Sequence, residues 1–137
     1  MQTVITYLLF LIAGTAIQAQ NTIEVSLTEI DNDKGTVKVG LYNEESTFLD
    51  KTYKSLSSEI SNQKANVTFN DVPDGIYAIS SFHDADDDRE LKMFLGMVPL
   101  ETYGCSNGAK GYFGPPKWED AKFEVKDGEV RKLEIKL

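Results

Sequence analysis

The chain carries a single cysteine, Cys105, and a single histidine, His83. One cysteine forms no intramolecular disulfide, so stability has to come from packing. One histidine and one cysteine cannot supply the three or four soft or imidazole ligands of a structural zinc site. No G-x-S-x-G run is present, and His83 with Ser106 and Asp84 makes no nucleophilic triad by composition alone. Basic residues are also scarce, 14 against 22 acidic ones for a net charge of −8, which makes nucleic acid a poor partner. The only long apolar run, Tyr7 to Ile17, falls short of the roughly 20 residues of a membrane span.

That run belongs to "MQTVITYLLFLIAGTAIQA", Met1 to Ala19, which has no charged side chain and ends on a small residue. It reads as a secretory signal peptide, with a retained N-terminal anchor as the alternative because the n-region lacks Lys or Arg. No cysteine lies near the cleavage region for lipid attachment. A mature chain from Gln20 to Leu137 is expected, one domain around one core, secreted or periplasmic and without a transmembrane segment.

Apolar residues alternate in short runs: Ile23, Val25 and Leu27; Val37, Val39 and Leu41; Ala65, Val67 and Phe69. A period of two marks half-buried strands. "GIYAISSFH", "MFLGMV", "AKFEV" and "EVRKLEIKL" bring the number of expected strands to seven. Asp127-Gly128 between the last two predicts a terminal hairpin over 121–137. Residues 50–61 hint at a helical turn, and 43–63 read as a crossing connection with Phe48, Leu49 and Leu56 tucked beneath it. The expected fold is an all-β, two-sheet antiparallel sandwich with one long Gly/Pro/aromatic loop over 99–120.

Two stretches could carry chemistry. In "FHDADDDRELK", Asp84, Asp86, Asp88 and Glu90 alternate. An extended chain would hold neighbouring carboxylates about 7 Å apart, where each pair repels by about 0.6 kcal/mol in water. D-x-D-x-D is how calcium loops begin, although Arg89 stands where the loop glycine belongs and Leu95 where the bidentate glutamate belongs. A looser calcium site completed by Glu101 or Asn107 and a solvated acidic turn are the two readings. His83 is expected at the rim of the core, sharing a face with Tyr77 and Ile79. Tyr103, Tyr112, Phe113 and Trp118 either stack on sugars or peptides or cap the sandwich, with Pro115 and Pro116 stiffening the return. His83, Tyr103, Tyr112 and Trp118 are thus the expected ligand surface. Cys105, in "YGCSNG", has no basic neighbour and reads as a small apolar filler.

The succession "GTVKVGLYN", "VTFNDVPDGIYAIS", "FHDADDD", "VPLETYGCSNG" and "GPPKWEDAKFEV" resembles the domain of unknown function 2141 family of secreted bacterial proteins, over residues 22–137. The resemblance implies a transthyretin-like or immunoglobulin-like sandwich and carries no activity or ligand with it. Members of that family continue His-Asp with alternating Asn, a Gly and a later Asp. Here His83 and Asp84 match, Asp86 and Asp88 replace Asn, Arg89 replaces Gly and Lys92 replaces the Asp, so Lys92 could pair with Asp84 or Asp86 without any ion. Members carry an aliphatic or aromatic residue where Cys105 stands, in keeping with a filler. The sequence therefore points to a secreted, non-enzymatic module binding calcium or a surface ligand through the 83–90 and 103–118 loops. The alternative is a metal-dependent or hydrolytic enzyme using His83 and the adjacent acids, which would place His83 exposed in a cleft.

Overall fold

Alternation sets the first layer. Ile23, Val25 and Leu27 of strand β1 (Asn21–Thr28) are almost wholly hidden, while Glu24 and Ser26 between them are exposed. The same pattern builds β4 (Ala65–Val72), whose Ala65, Val67 and Phe69 face the core. β1 is the centre of a three-stranded sheet, flanked by β4 and by β10 (Val130–Lys136). The computed structural model describes residues 20–87, 93–94, 98–99, 102–111 and 114–137; the expected signal peptide lies outside them. Among the described residues no helix is long and apolar enough to cross a membrane.

The second sheet runs in the order β3 (Lys54–Glu59), β2 (Thr36–Tyr42), β5 (Gly75–Asp84), β8 (Tyr103–Cys105), and β9 (Phe123–Val125) pairs with the start of β5 on the same side as β8. Val37, Val39 and Leu41 from β2, Tyr77 and Ile79 from β5, and Phe123 and Val125 from β9 meet the first sheet in one continuous core. Each fully buried aliphatic side chain there contributes about 1.5–3 kcal/mol of transfer free energy. The protein is an all-β sandwich.

Several local expectations differ from this architecture. The run "MFLGMV" is not one strand: β6 (Met93–Phe94) and β7 (Val98–Pro99) pair with each other, and residues 95–97 lie outside the described set. In place of a helical turn over 50–61 there is strand β3, preceded by a single 3-10 turn at Glu45–Thr47. Residues 43–53 join β2 to β3 within one sheet, with Leu49 36 % and Leu56 39 % exposed, so neither tucks into the core. The expected terminal hairpin does not form. Asp127 and Gly128 do adopt positive φ, 61° and 69°, and Glu129 N–H donates to the Lys126 carbonyl at 3.2 Å, but the turn carries the chain from the second sheet to the first. β10 consequently lies parallel to β1, from Thr22 opposite Val130 to Thr28 opposite Lys136, in a sandwich expected to be wholly antiparallel.

The corner where these crossings meet is held by Asn21, which is fully buried. Its Nδ2 donates to the Val72 carbonyl at 3.0 Å and to Asp74 Oδ1 at 2.8 Å, and its Oδ1 accepts from Glu129 N–H at 3.0 Å. One amide thereby ties the start of β1 to two of the sheet-crossing turns, β4–β5 and β9–β10. Asn21→Ala leaves buried donors and acceptors unpaired, and we expect it to lower unfolding free energy by about 2–3 kcal/mol in urea titration; a loss below about 0.5 kcal/mol would mean the corner holds without it.

Candidate functional site

β5 delivers the acidic stretch. His83 and Asp84 close the strand at 3 % and 0 % exposure, while Asp86 and Asp87 sit on an exposed turn in which Asp87 N–H donates to the Asp84 carbonyl at 3.2 Å. His83 shares the inner face with Tyr77 and Ile79 as expected. Its Nε2 lies 2.7 Å from the Lys34 carbonyl, an atom that only accepts, so Nε2 carries the proton. Its backbone N–H donates to the Thr102 carbonyl at 2.9 Å. Gly35, at φ 68°, presses against the same turn so closely that a Cβ there would overlap the Asp84 carbonyl. The acidic turn is therefore clasped by the β1–β2 turn.

Asp87 is held from below. Its Oδ1 accepts from Thr36 Oγ1 at 2.9 Å and from Lys38 Nζ at 3.2 Å, both on β2. The cation beside the acidic turn among the described residues is thus Lys38, where the sequence had pointed to Lys92, which lies outside them along with Asp88, Arg89, Glu90 and Tyr112. Of the two residues offered to complete a calcium site, Asn107 donates from Nδ2 to the Lys122 carbonyl at 2.8 Å, and Glu101 lies outside the described residues. Among the described residues no group of three or more His, Cys, Asp or Glu side chains is arranged to hold a metal ion.

The register of the second sheet places a second candidate on its outer face. Rows of opposed residues cross the strands: Ser57, Lys38, Phe82 and Tyr103 form one row, and Ser55, Gly40, Ser80 and Cys105 form the next. The second row is made of small side chains, so the face dips there. Tyr42 and Thr52 rise on the far side, and Gly40 is what lets them settle: a Cβ on it would come within 2.7 Å of Thr52 Cγ2 and 3.3 Å of the Tyr42 ring. The result is a groove of about 390 Å³ bounded by Lys38 and Phe82 on one bank and by Tyr42 and Thr52 on the other, with Ser55, Ser57 and Ser80 between. None of these residues was singled out by sequence; the one available signal was a glycine inside an alternating strand, which marks a close approach.

Of the four expected ligand-surface residues, Tyr103 and Trp118 lie on the side of the sheet that carries this groove. Tyr103 is half-buried opposite Phe82. Trp118, on the single helical turn Trp118–Ala121, packs edge-on against Phe48 at 5.8 Å, and Phe48 in turn against Tyr42 at 5.3 Å. These rings cover a second apolar cluster of Ala78, Cys105, Ala109 and Ala121 on the outer face. His83 faces the other way, into the sandwich, so it does not join Tyr103 and Trp118 on one surface. Burial pushes the Cys105 thiol up, partly offset by a hydrogen bond with Ser80, and burial followed by Cys105 and Asp50 pushes the Tyr42 phenol up. Both groups stay neutral at physiological pH.

Two layered sheets, an outer cover and a groove define a small β-sandwich domain. The chain belongs to the family described as "Uncharacterized protein conserved in bacteria (DUF2141)", whose model matches residues 25–132. No curated protein and no solved structure matches it.

Two measurements bear on these groups. Because Asp87 already has Lys38 and Thr36 as partners, we expect equal thermal midpoints in millimolar calcium and in chelator; a rise of several degrees with calcium, lost in Asp86→Ala with Asp88→Ala, would establish a calcium loop. Unfolded, the Cys105 thiol ionises near 9.0 and the Tyr42 and Tyr77 phenols near 10.0; folded, all three hold their protons to higher pH. Stability should therefore be flat at neutral pH and fall as pH rises past about 9, where the unfolded chain releases protons first. Cys105→Ala should remove the earliest part of that fall, and an unchanged profile would place the thiol outside the linkage.

Proposed function

We propose that this protein is an exported, non-catalytic β-sandwich module that binds a small polar ligand in the groove on the outer face of its second sheet. The observation that carries the reading is the contrast between the two outer faces. On the first sheet, Glu24, Ser26, Asn66, Thr68, Lys132, Glu134 and Lys136 make a flat, solvated surface. On the second, an aromatic cover and a row of small residues shape a concavity with hydroxyl and aromatic lining. Concave sites with a few convergent polar groups are where small ligands bind.

The remaining reactive groups support a non-catalytic role. The Nε2 of His83 is committed to a backbone carbonyl, and the Cys105 thiol is buried and held protonated. The Ser106 hydroxyl donates to the Ala121 carbonyl at 2.6 Å and accepts from Ile79 N–H at 3.0 Å. None of the three faces the groove as a nucleophile paired with a base. Export rests on the apolar leader Met1 to Ala19.

A nuclear magnetic resonance screen of neutral polar fragments against protein recovered from outside the cytoplasm tests the reading, with intact mass locating the cleavage at Ala19. We expect shifts to concentrate on amides of Lys38, Gly40, Ser57 and Ser80. Shifts confined to the opposite sheet would sink the groove, and turnover of ester, phosphate or glycoside substrates that is lost in His83→Ala would replace it with an enzyme.

A further inference from the structure

We propose that the groove takes the end of a neutral oligosaccharide, laid across β3, β2 and β5; the proposal rests on the groove being the ligand site. Charge narrows the ligand first. Among the described residues Lys38 is the only charged side chain in the lining, and its Nζ lies 3.2 Å from Asp87 Oδ1, so this part of the groove is close to neutral. An anionic chain would approach a protein of net charge −8, and a cationic one would find no carboxylate among the described lining residues.

Hydrogen-bonding capacity narrows it further. β2 is paired on both sides, with β3 and with β5, and β5 is paired with β2 on one side and with β8 and β9 on the other. The backbone of β2 and β5 beneath the groove is therefore spent in ladders; only the outer edge of β3 keeps main-chain groups outside a ladder, and these lie at the groove's mouth, so a peptide laid across the floor would find no strand-addition partner there. What the groove offers is hydroxyls, from Thr52, Ser55 and Ser57, each able to donate and accept, and from Ser80, which already bonds the Cys105 thiol and keeps its lone pairs to accept. A ligand rich in its own hydroxyls matches that set. Phe82 on one bank and the Tyr42 ring on the other supply apolar surfaces for the C–H faces of sugar rings.

Shape fixes the orientation. From β3 to β5 the groove crosses two strand spacings, about 10 Å. On the β8 side it stops, because Cys105 beside Ser80 is buried beneath Ala109 and Ala121. On the β3 side it opens at the edge strand, whose Ser55, Leu56 and Ser57 are exposed. A glycan can enter by its end and trail off over β3, but cannot thread through.

The test is titration of isotope-labelled protein with neutral oligosaccharides, with anionic oligosaccharides and with short peptides. We expect the neutral series to move the amides of Lys38, Gly40, Ser57 and Ser80, and a bulky tag to abolish binding at one end of the chain and be tolerated at the other. Phe82→Ala and Ser55→Arg should each weaken binding by about tenfold or more; Ser55 sits on an exposed edge, so its replacement leaves the core intact. Groove shifts with peptides or anionic chains but not with neutral sugars would overturn the carbohydrate assignment and leave the groove as a site. No shift from any of the three series, with the fragment screen also silent there, would overturn both.

Discussion

The domain depends on covering the centre of β5 on both faces. Tyr77 and Ile79 on one side and Ala78 on the other are nearly or wholly inaccessible, and so is the polar end of the strand, Ser81, His83 and Asp84. The first sheet covers only the inner side, so the outer side needs a second lid, and the chain makes one from residues 43–53, 106–111 and 114–121. Ser106 stitches that lid to the strand, bridging the Ile79 amide and the Ala121 carbonyl with one hydroxyl. Buried polar groups on a central strand cost several kcal/mol unless paired; here Ser81 reaches the Gly104 carbonyl and His83 the Lys34 carbonyl. The long Gly/Pro/aromatic segment is therefore in good part a structural lid whose margin leaves the groove.

How far this could be read from sequence depended on how many faces of each strand are covered. β1 and β4 have one buried face, and alternation reveals them; β2 alternates in sequence too, although Gly40 and Tyr42 on its outer face are also covered. β3 is an edge strand with little buried on either side, so "KSLSSE" carries no period and looked like a connection. β8 is short and lies among glycines, which hid it inside a loop. The Asp127-Gly128 turn was recognised with its left-handed geometry, yet turn chemistry reports only a local reversal. Whether the next strand pairs with the last or crosses to the other sheet is decided by which edge remains unfilled, and here that was the side of β1.

The candidate site was legible in a different measure. Acidic residues at alternate positions stand out in any sequence, so the turn after β5 drew attention, while its described partners, Thr36 and Lys38, come from a strand more than forty residues earlier and carry no motif. The groove was harder still to foresee, because its signature is the smallness of Ser55, Gly40 and Ser80 once pairing sets them side by side. Tyr103 and Trp118 stood out as aromatics of the long loop, while their neighbours Phe82 and Phe48 emerge only from register and packing.

The parallel pairing of β1 with β10 has a consequence for how the molecule comes into being. The first strand of the domain finds one of its two neighbours only in the domain's last strand, and the Asn21 to Glu129 bond spans 108 positions. While the chain is still being made, β1 has β4 on one side and an unfilled edge on the other. The first layer cannot close piecemeal, and such long-range closure slows folding. The last strand thus acts as a keystone, and a chain stopped short of it would present an open, adhesive edge instead of a finished wall.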